Sequence, residues 1–200
     1  MSGNSTSLVS SAFLSDLKNQ TSDSHRKLES LTISASILSP DMKILDYIHY
    51  LSLMYDVHKN TESVIFPLLS EIITDLDKRR KSHLIEEDLD FLQYNKTDSN
   101  NVFSTKEITI PFALGILYVI EGSSLGGRFI LKNVSKIPGL DNGHGTLYFQ
   151  GYGDTTGTFW KNFLGFLSEY EENHNCGNAI IEGAIYAFNS IYNHFRSISE

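Results

Sequence analysis

The stretch Leu117-Tyr118-Val119-Ile120-Glu121-Gly122-Ser123-Ser124-Leu125-Gly126-Gly127 decides how this chain is read. It lies inside the longest helical pattern, which runs from about Thr105 to Val134, with Pro111 tolerated near its start. Five of the six residues from Gly122 to Gly127 carry tiny side chains. Each glycine in a helix interior costs roughly 0.5–1 kcal/mol relative to alanine, so three cost on the order of 2–3 kcal/mol. Two gains could offset that cost. Small residues let two helices touch, or they let a ligand approach the backbone. A P-loop lysine and the Gly-x-Gly-x-x-Gly pattern are both missing, so a nucleotide is not the expected ligand.

Upstream, a second segment is informative: Thr21-Ser22-Asp23-Ser24-His25-Arg26-Lys27-Leu28-Glu29. Apolar positions Phe13, Leu14, Leu17, Leu28 and Leu31 follow helical spacing from Ser11 to about Leu31. On that helix His25 lies beside Leu14 and Thr21, so its imidazole is expected to project towards the core. Glu29 is one turn on and can reach a neighbouring ring. A metal-bound histidine commonly donates its second ring N–H to such a partner. Lys18, two turns before His25, could meet an anionic edge of a ligand. Taken singly, these three residues also fit a satisfied core histidine and a solvated helix border. Together, an axial imidazole and a stripped helix point to a flat ligand, haem.

The rest of the chain reads as all-α, about seven helices in one domain over residues 11–200. Residues 1–10 are polar and expected to be disordered. Ser39-Pro40-Asp41 reads as a helix start leading to about Lys59. Further helices are expected at 61–79, bent by Pro67, and at 82–94, 156–173 and 177–197. Residues 135–154 read as a loop with one strand-like scrap, Thr146-Leu147-Tyr148-Phe149-Gln150.

Composition narrows function. A formal net charge of −8 argues against nucleic acid. One cysteine, Cys176, precludes an internal disulfide and fits a cytoplasmic protein. The start lacks the pattern of a signal peptide, and Ile108–Ile120 is too short for a membrane span. The 12 phenylalanines and 10 tyrosines are ample to line a pocket.

These segments resemble the haem oxygenase family, in its bacterial branch associated with bacteriophytochromes and haem-iron acquisition. The resemblance extends over most of the chain, including Leu147-Tyr148-Phe149-Gln150-Gly151-Tyr152-Gly153 and Phe159-Trp160. It implies that haem b is both cofactor and substrate. It further implies opening to biliverdin, carbon monoxide and ferrous iron, with dioxygen and an external electron donor of ferredoxin or flavin-reductase type. His25 would be the iron ligand and Glu29 its partner. Gly122 and Gly126 would lie on the haem face, and Tyr118 and Lys18 would hold a propionate. Thr21 belongs to the same first-helix match. Ser123 stands where many members carry an aspartate that orders proton-donating water.

Other readings differ from it in specific residues. A non-catalytic haem chaperone, store or sensor would keep His25 without ring opening. A helical scaffold for interaction or another ligand would not need His25. A di-iron bundle needs paired Glu-x-x-His motifs. Asp46-x-x-His49 and Glu171-x-x-His174 have related spacing, and the second reads as a solvated helix end. His-Glu-x-x-His is missing, which leaves a zincin unsupported. His58, His83, His144 and His194 receive no role.

Overall fold

The computed structural model describes residues 3–96, 98–103, 107–140 and 143–199, with side chains described from Ala12 to Ser197 apart from the gaps between those ranges. The elements are α1 (Gly3–Glu29), α2 (Thr32–Leu38), α3 (Ile44–Asn60), α4 (Phe66–Leu69), α5 (Ser82–Phe91), α6 (Ile110–Ser123), α7 (Gly127–Val134), α8 (Leu147–Gln150), α9 (Thr156–His174) and α10 (Gly177–Ser199). A wide π-turn, Thr61–Ile65, joins α3 to α4, and a 3-10 turn, Ser124–Gly126, joins α6 to α7. Eight rods result, and the described residues contain no strand.

The centre of the molecule is α6 against α10. A Cβ added to Gly115 would stand 2.0 Å from the Ile180 carbonyl oxygen, and one added to Gly183 would stand 2.1 Å from that of Phe112. The backbones of the two helices therefore touch through reciprocal glycine notches. Around them Leu114, Ile116, Leu117, Ile180 and Ala184 are sealed from solvent. The rod Ile110–Val134, which runs well past the Ile108–Ile120 stretch, is long and apolar enough to cross a membrane by length and composition. Half of its most apolar window is nonetheless buried inside the protein, against α10 and α9.

Several expected boundaries move, each for a local reason. Helix α1 is helical from Gly3, so residues expected to be disordered extend a helix that Phe13 and Leu17 anchor; Met1 and Ser2 lie outside the described residues. Ser39 does not start a helix. It ends α2, and its hydroxyl accepts the Asp41 N–H in a turn. Helix α3 begins four residues after Pro40, where the Asp46 carboxylate accepts the Lys43 N–H. Pro67 widens the chain upstream of itself into the π-turn, since its ring would clash with the carbonyl four residues back. The helix then stops at Leu69, well short of residue 79.

The strand-like scrap is instead α8. Its first two N–H groups, on Leu147 and Tyr148, donate to the two carboxylate oxygens of Asp88 at 2.8 and 2.9 Å. A carboxylate at that end satisfies orphan donors and the helix dipole together. A side chain 59 residues upstream thus decides the local structure.

Candidate functional site

The glycines of the 122–127 segment divide into two kinds. Gly127 packs inwards, where a Cβ would lie 3.2 Å from the Phe149 carbonyl oxygen. A Cβ on Gly126 would meet nothing within 4 Å. One on Gly122 would reach only the edge of the Trp160 ring, at 3.6 Å. Helix-to-helix contact through small residues is made elsewhere, by Gly115 and Gly183. Gly122 and Gly126 leave a stretch of helix backbone bare, with no packing return. Leu125 and Phe129 beside it are 50% and 61% exposed. Tyr118, one turn before Gly122, stacks obliquely on Trp160 with ring centroids 5.5 Å apart, and burial raises its hydroxyl pKa.

The first helix supplies the imidazole. Phe13, Leu17 and Thr21 form one line of buried residues at four-residue spacing, and His25 and Glu29 continue it. Burial ends at Thr21. The His25 side chain is 55% exposed, so it does not enter the core as the stripe predicts. It emerges where α1 passes α10, its ring centroid 5.4 Å from that of Phe188. Glu29 Oε1 lies 3.4 Å from its Nε2. Thr21 faces inwards and its hydroxyl donates to the Leu17 carbonyl at 2.8 Å, so that group is engaged within the helix. Lys18 is exposed on the same helix. Helix α10 packs against both segments, Phe188 against His25 and Ile180 against Gly115 of the glycine helix.

Behind the bare face lies a polar layer that the sequence reading did not assign. Glu121, almost fully buried, accepts from Arg79 Nη1 at 2.5 Å and from the Tyr152 hydroxyl at 2.9 Å. Arg79 also forks onto both oxygens of Asp75 and lies over the Phe159 ring. Burial alone would lower the Arg79 pKa, but these acids raise it overall. His58 Nε2 lies 3.1 Å from the Tyr148 hydroxyl, which also interacts with Ser123. Burial first, and the Lys81 charge second, pull the His58 pKa well below its usual value. Lys81 reaches the Ser124 hydroxyl. Ser123, on the outer side, donates to the Ile120 carbonyl at 2.7 Å.

One signal could have exposed this layer. Glu121 is a lone acid in the most apolar helix of the chain, and a buried carboxylate requires a buried cation or donor. The alternative metal pairs are engaged locally. Asp46 caps α3, and His174 Nδ1 lies 2.8 Å from the carbonyl of Tyr170 on its own helix. Among the described residues, no group of three or more His, Cys, Asp or Glu side chains gathers around a common point.

The chain matches the protein-family model described as "Heme oxygenase" over residues 11–197. It is 25% identical over 170 residues to heme oxygenase PigA of Pseudomonas aeruginosa, a match covering 84% of each protein. Among solved structures it superimposes on the heme oxygenase of Neisseria meningitidis with a TM-score of 0.74 and 24% identity, covering 92% of this chain and 90% of that one. The heme oxygenase of Leptospira interrogans gives 0.75 at 18% identity, covering 92% and 98%. Heme oxygenase-1 of the cyanobacterium Synechocystis, solved in complex with heme, gives 0.72 at 16%, covering 93% and 91%.

Proposed function

This chain belongs to the haem oxygenase family, and we propose that it binds haem and opens it to biliverdin, carbon monoxide and ferrous iron, using dioxygen and electrons from an external donor. One observation carries the reading. Gly122 and Gly126 keep the helix bare at an open face, while the glycines that do join helices lie elsewhere, at Gly115 and Gly183. A planar macrocycle gains from such a face because it can lie against backbone. The donor set also fits. A half-exposed imidazole, flanked by a carboxylate and an aromatic ring, is suited to an axial position.

In this reading His25 would hold the iron, and Glu29 would accept a hydrogen bond from the N–H of its second ring nitrogen, which would fix the tautomer. Gly122 and Gly126 would let the ring lie close to the helix, and Lys18 and the Tyr118 hydroxyl would hold the propionates. Bound haem supplies the redox-active iron and the ring carbon that is oxidised. The chain holds the ring, shields one face and governs where protons enter.

The test is direct. Haemin added to the purified protein should give a Soret band that saturates at one equivalent, and a reductant in air should then yield biliverdin. Saturation with no biliverdin would leave a haem-binding protein without turnover. No saturation would overturn the reading.

A further inference from the structure

A small, partly open cavity lies against the glycine segment at Ser123, Ser124 and Gly127. It measures about 20 Å³ and is lined by Lys81, Ser123, Ser124, Tyr148, Tyr152 and Thr156, among others. That is room for one water, with several polar partners to hold it. Its two serines belong to the glycine segment itself. Ser124 faces inwards to Lys81, and Ser123 is exposed on the outer side, next to Gly122. The cavity therefore joins the buried layer to the open face.

We propose that Lys81 is the proton donor of this face, acting through the Ser124 hydroxyl and a water in the cavity to deliver a proton at Ser123. The inference rests on the haem-opening reading above. It answers a question particular to this chain, which carries Ser123 where a carboxylate could have served. The acid nearest in sequence, Glu121, is held by Arg79 and Tyr152.

Lys81 is placed for this role from both ends. Its N–H and that of Ser82 donate to Glu62 Oε1, each at 2.8 Å, which fixes the start of α5. Its ammonium then spans to Ser124 and lies 4.2 Å from the centre of the Tyr152 ring. The side chain is almost fully enclosed. Burial lowers its pKa, and so does Arg79. Glu121 and Glu62 oppose them, and the net result is about 8, against 10.5 for an ordinary lysine. A donor of that strength works near neutral pH. The other groups around the cavity do not exchange there. Burial keeps the Tyr148 and Tyr152 hydroxyls protonated and His58 neutral.

The transfer balances as a relay. Lys81 Nζ gives a proton to the Ser124 oxygen as Ser124 gives its own to the water. The water gives one to the Ser123 oxygen, and Ser123, its hydroxyl turning from the Ile120 carbonyl, releases its own at the open face. Lys81 is left as a neutral amine and regains a proton from solvent.

The experiment has two readouts. In haem-free protein, nitrogen-15 NMR of the Lys81 amine should show titration near pH 8, shifted by Ser124→Ala. In the haem-loaded enzyme, Lys81→Met should bind haem with affinity within about threefold of wild type, yet open it about 100-fold more slowly. It should also lose the wild type's decline in rate near pH 8. Lys81→Arg keeps the charge but cannot give up its proton in this range, so it should bind haem and be as slow as the Met variant. It also serves if the Met variant does not fold. The proposal is overturned if the amine titrates like a surface lysine, if either variant keeps rate and pH profile, or if rate falls only in step with haem affinity and thermal stability. A wild type that never yields biliverdin overturns the functional reading, and this inference falls with it.

Discussion

Gly183 of α10 stands so close to the Phe112 carbonyl of α6 that a Cβ on it would fall 2.1 Å from that oxygen. Backbone cannot yield as a flexible side chain does, so the whole α6–α10 contact would have to open. Gly183→Ala should therefore destabilise the haem-free protein by about 1–3 kcal/mol or more. Gly126→Ala should cost nothing and gain up to about 1 kcal/mol from helix propensity, since its Cβ meets open space. Thermal unfolding of the two variants checks this, and the reverse ranking would refute the division of glycines into packing and open kinds.

Gly126→Leu extends the same logic to the ligand. With nothing within 4 Å of the new Cβ, the haem-free fold should persist with its melting temperature little changed. Haem, however, would meet an isobutyl group where backbone lay bare. Weaker haem or dioxygen binding, or a changed biliverdin isomer, is expected. Unchanged haem affinity, oxygen binding and isomer would move the haem off this helix.

His25 and Glu29 separate holding from tuning. His25→Ala should lose the axial nitrogen and nearly all ring opening, with spectrum and activity restored in part by added imidazole. Glu29→Gln should still bind haem but lower affinity or activity by about 10–100-fold, with a shifted iron–histidine stretching frequency in resonance Raman spectra. A wild-type spectrum from His25→Ala would exclude it as the ligand.

What the sequence disclosed was what local periodicity records. Most of the 105–134 pattern appears, from Ile110 and with a 3-10 turn at Ser124–Gly126, while residues 104–106 lie outside the described residues; the first helix and the last two helices appear as well, because their buried stripes repeat every turn. Helix α2 escaped, being only seven residues long. Residues 146–150 read as a strand because their helix depends on Asp88, which no local window contains. Gly122 and Gly126 were legible as a cost without a visible return, whereas their packing counterparts, Gly115 and Gly183, were not, since only the α6–α10 crossing gives them meaning. His58, Lys81 and Arg79 lie far along the chain from Tyr148, Ser124 and Glu121, so no spacing announced them. His25 was legible by type and place, but its exposure was not. The helical wheel gives a direction, not where the neighbouring helix ends.

Asp88 gives a prediction with a sign. Burial raises its pKa to about 6, from 3.8, although two N–H groups donate to it. Between those values the folded state binds more protons than the unfolded one, so this group makes stability fall as pH rises from about 4 to about 6. Asp88→Asn removes that slope and leaves one of the α8 N–H groups without an acceptor. A loss of about 1–3 kcal/mol at pH 7 is expected, read by urea unfolding, with a flatter dependence between pH 4 and 6. Undiminished stability at pH 7 would mean that α8 does not depend on this carboxylate.

Ser123 tests how much of the proton path is hydroxyl and how much is water. Its Oγ donates to the Ile120 carbonyl and meets Tyr148 at the cavity wall. Ser123→Ala removes that hydroxyl but enlarges the cavity, so a second water can stand in its place. Ring opening should slow only several-fold, with haem affinity kept and a larger solvent isotope effect as the relay lengthens. Ser123→Val fills the space with methyl groups and bars that water, so it should slow the reaction far more than alanine does. If alanine alone abolishes ring opening while haem remains bound, the hydroxyl is indispensable and water cannot replace it. If valine turns over as fast as wild type, protons do not pass this residue.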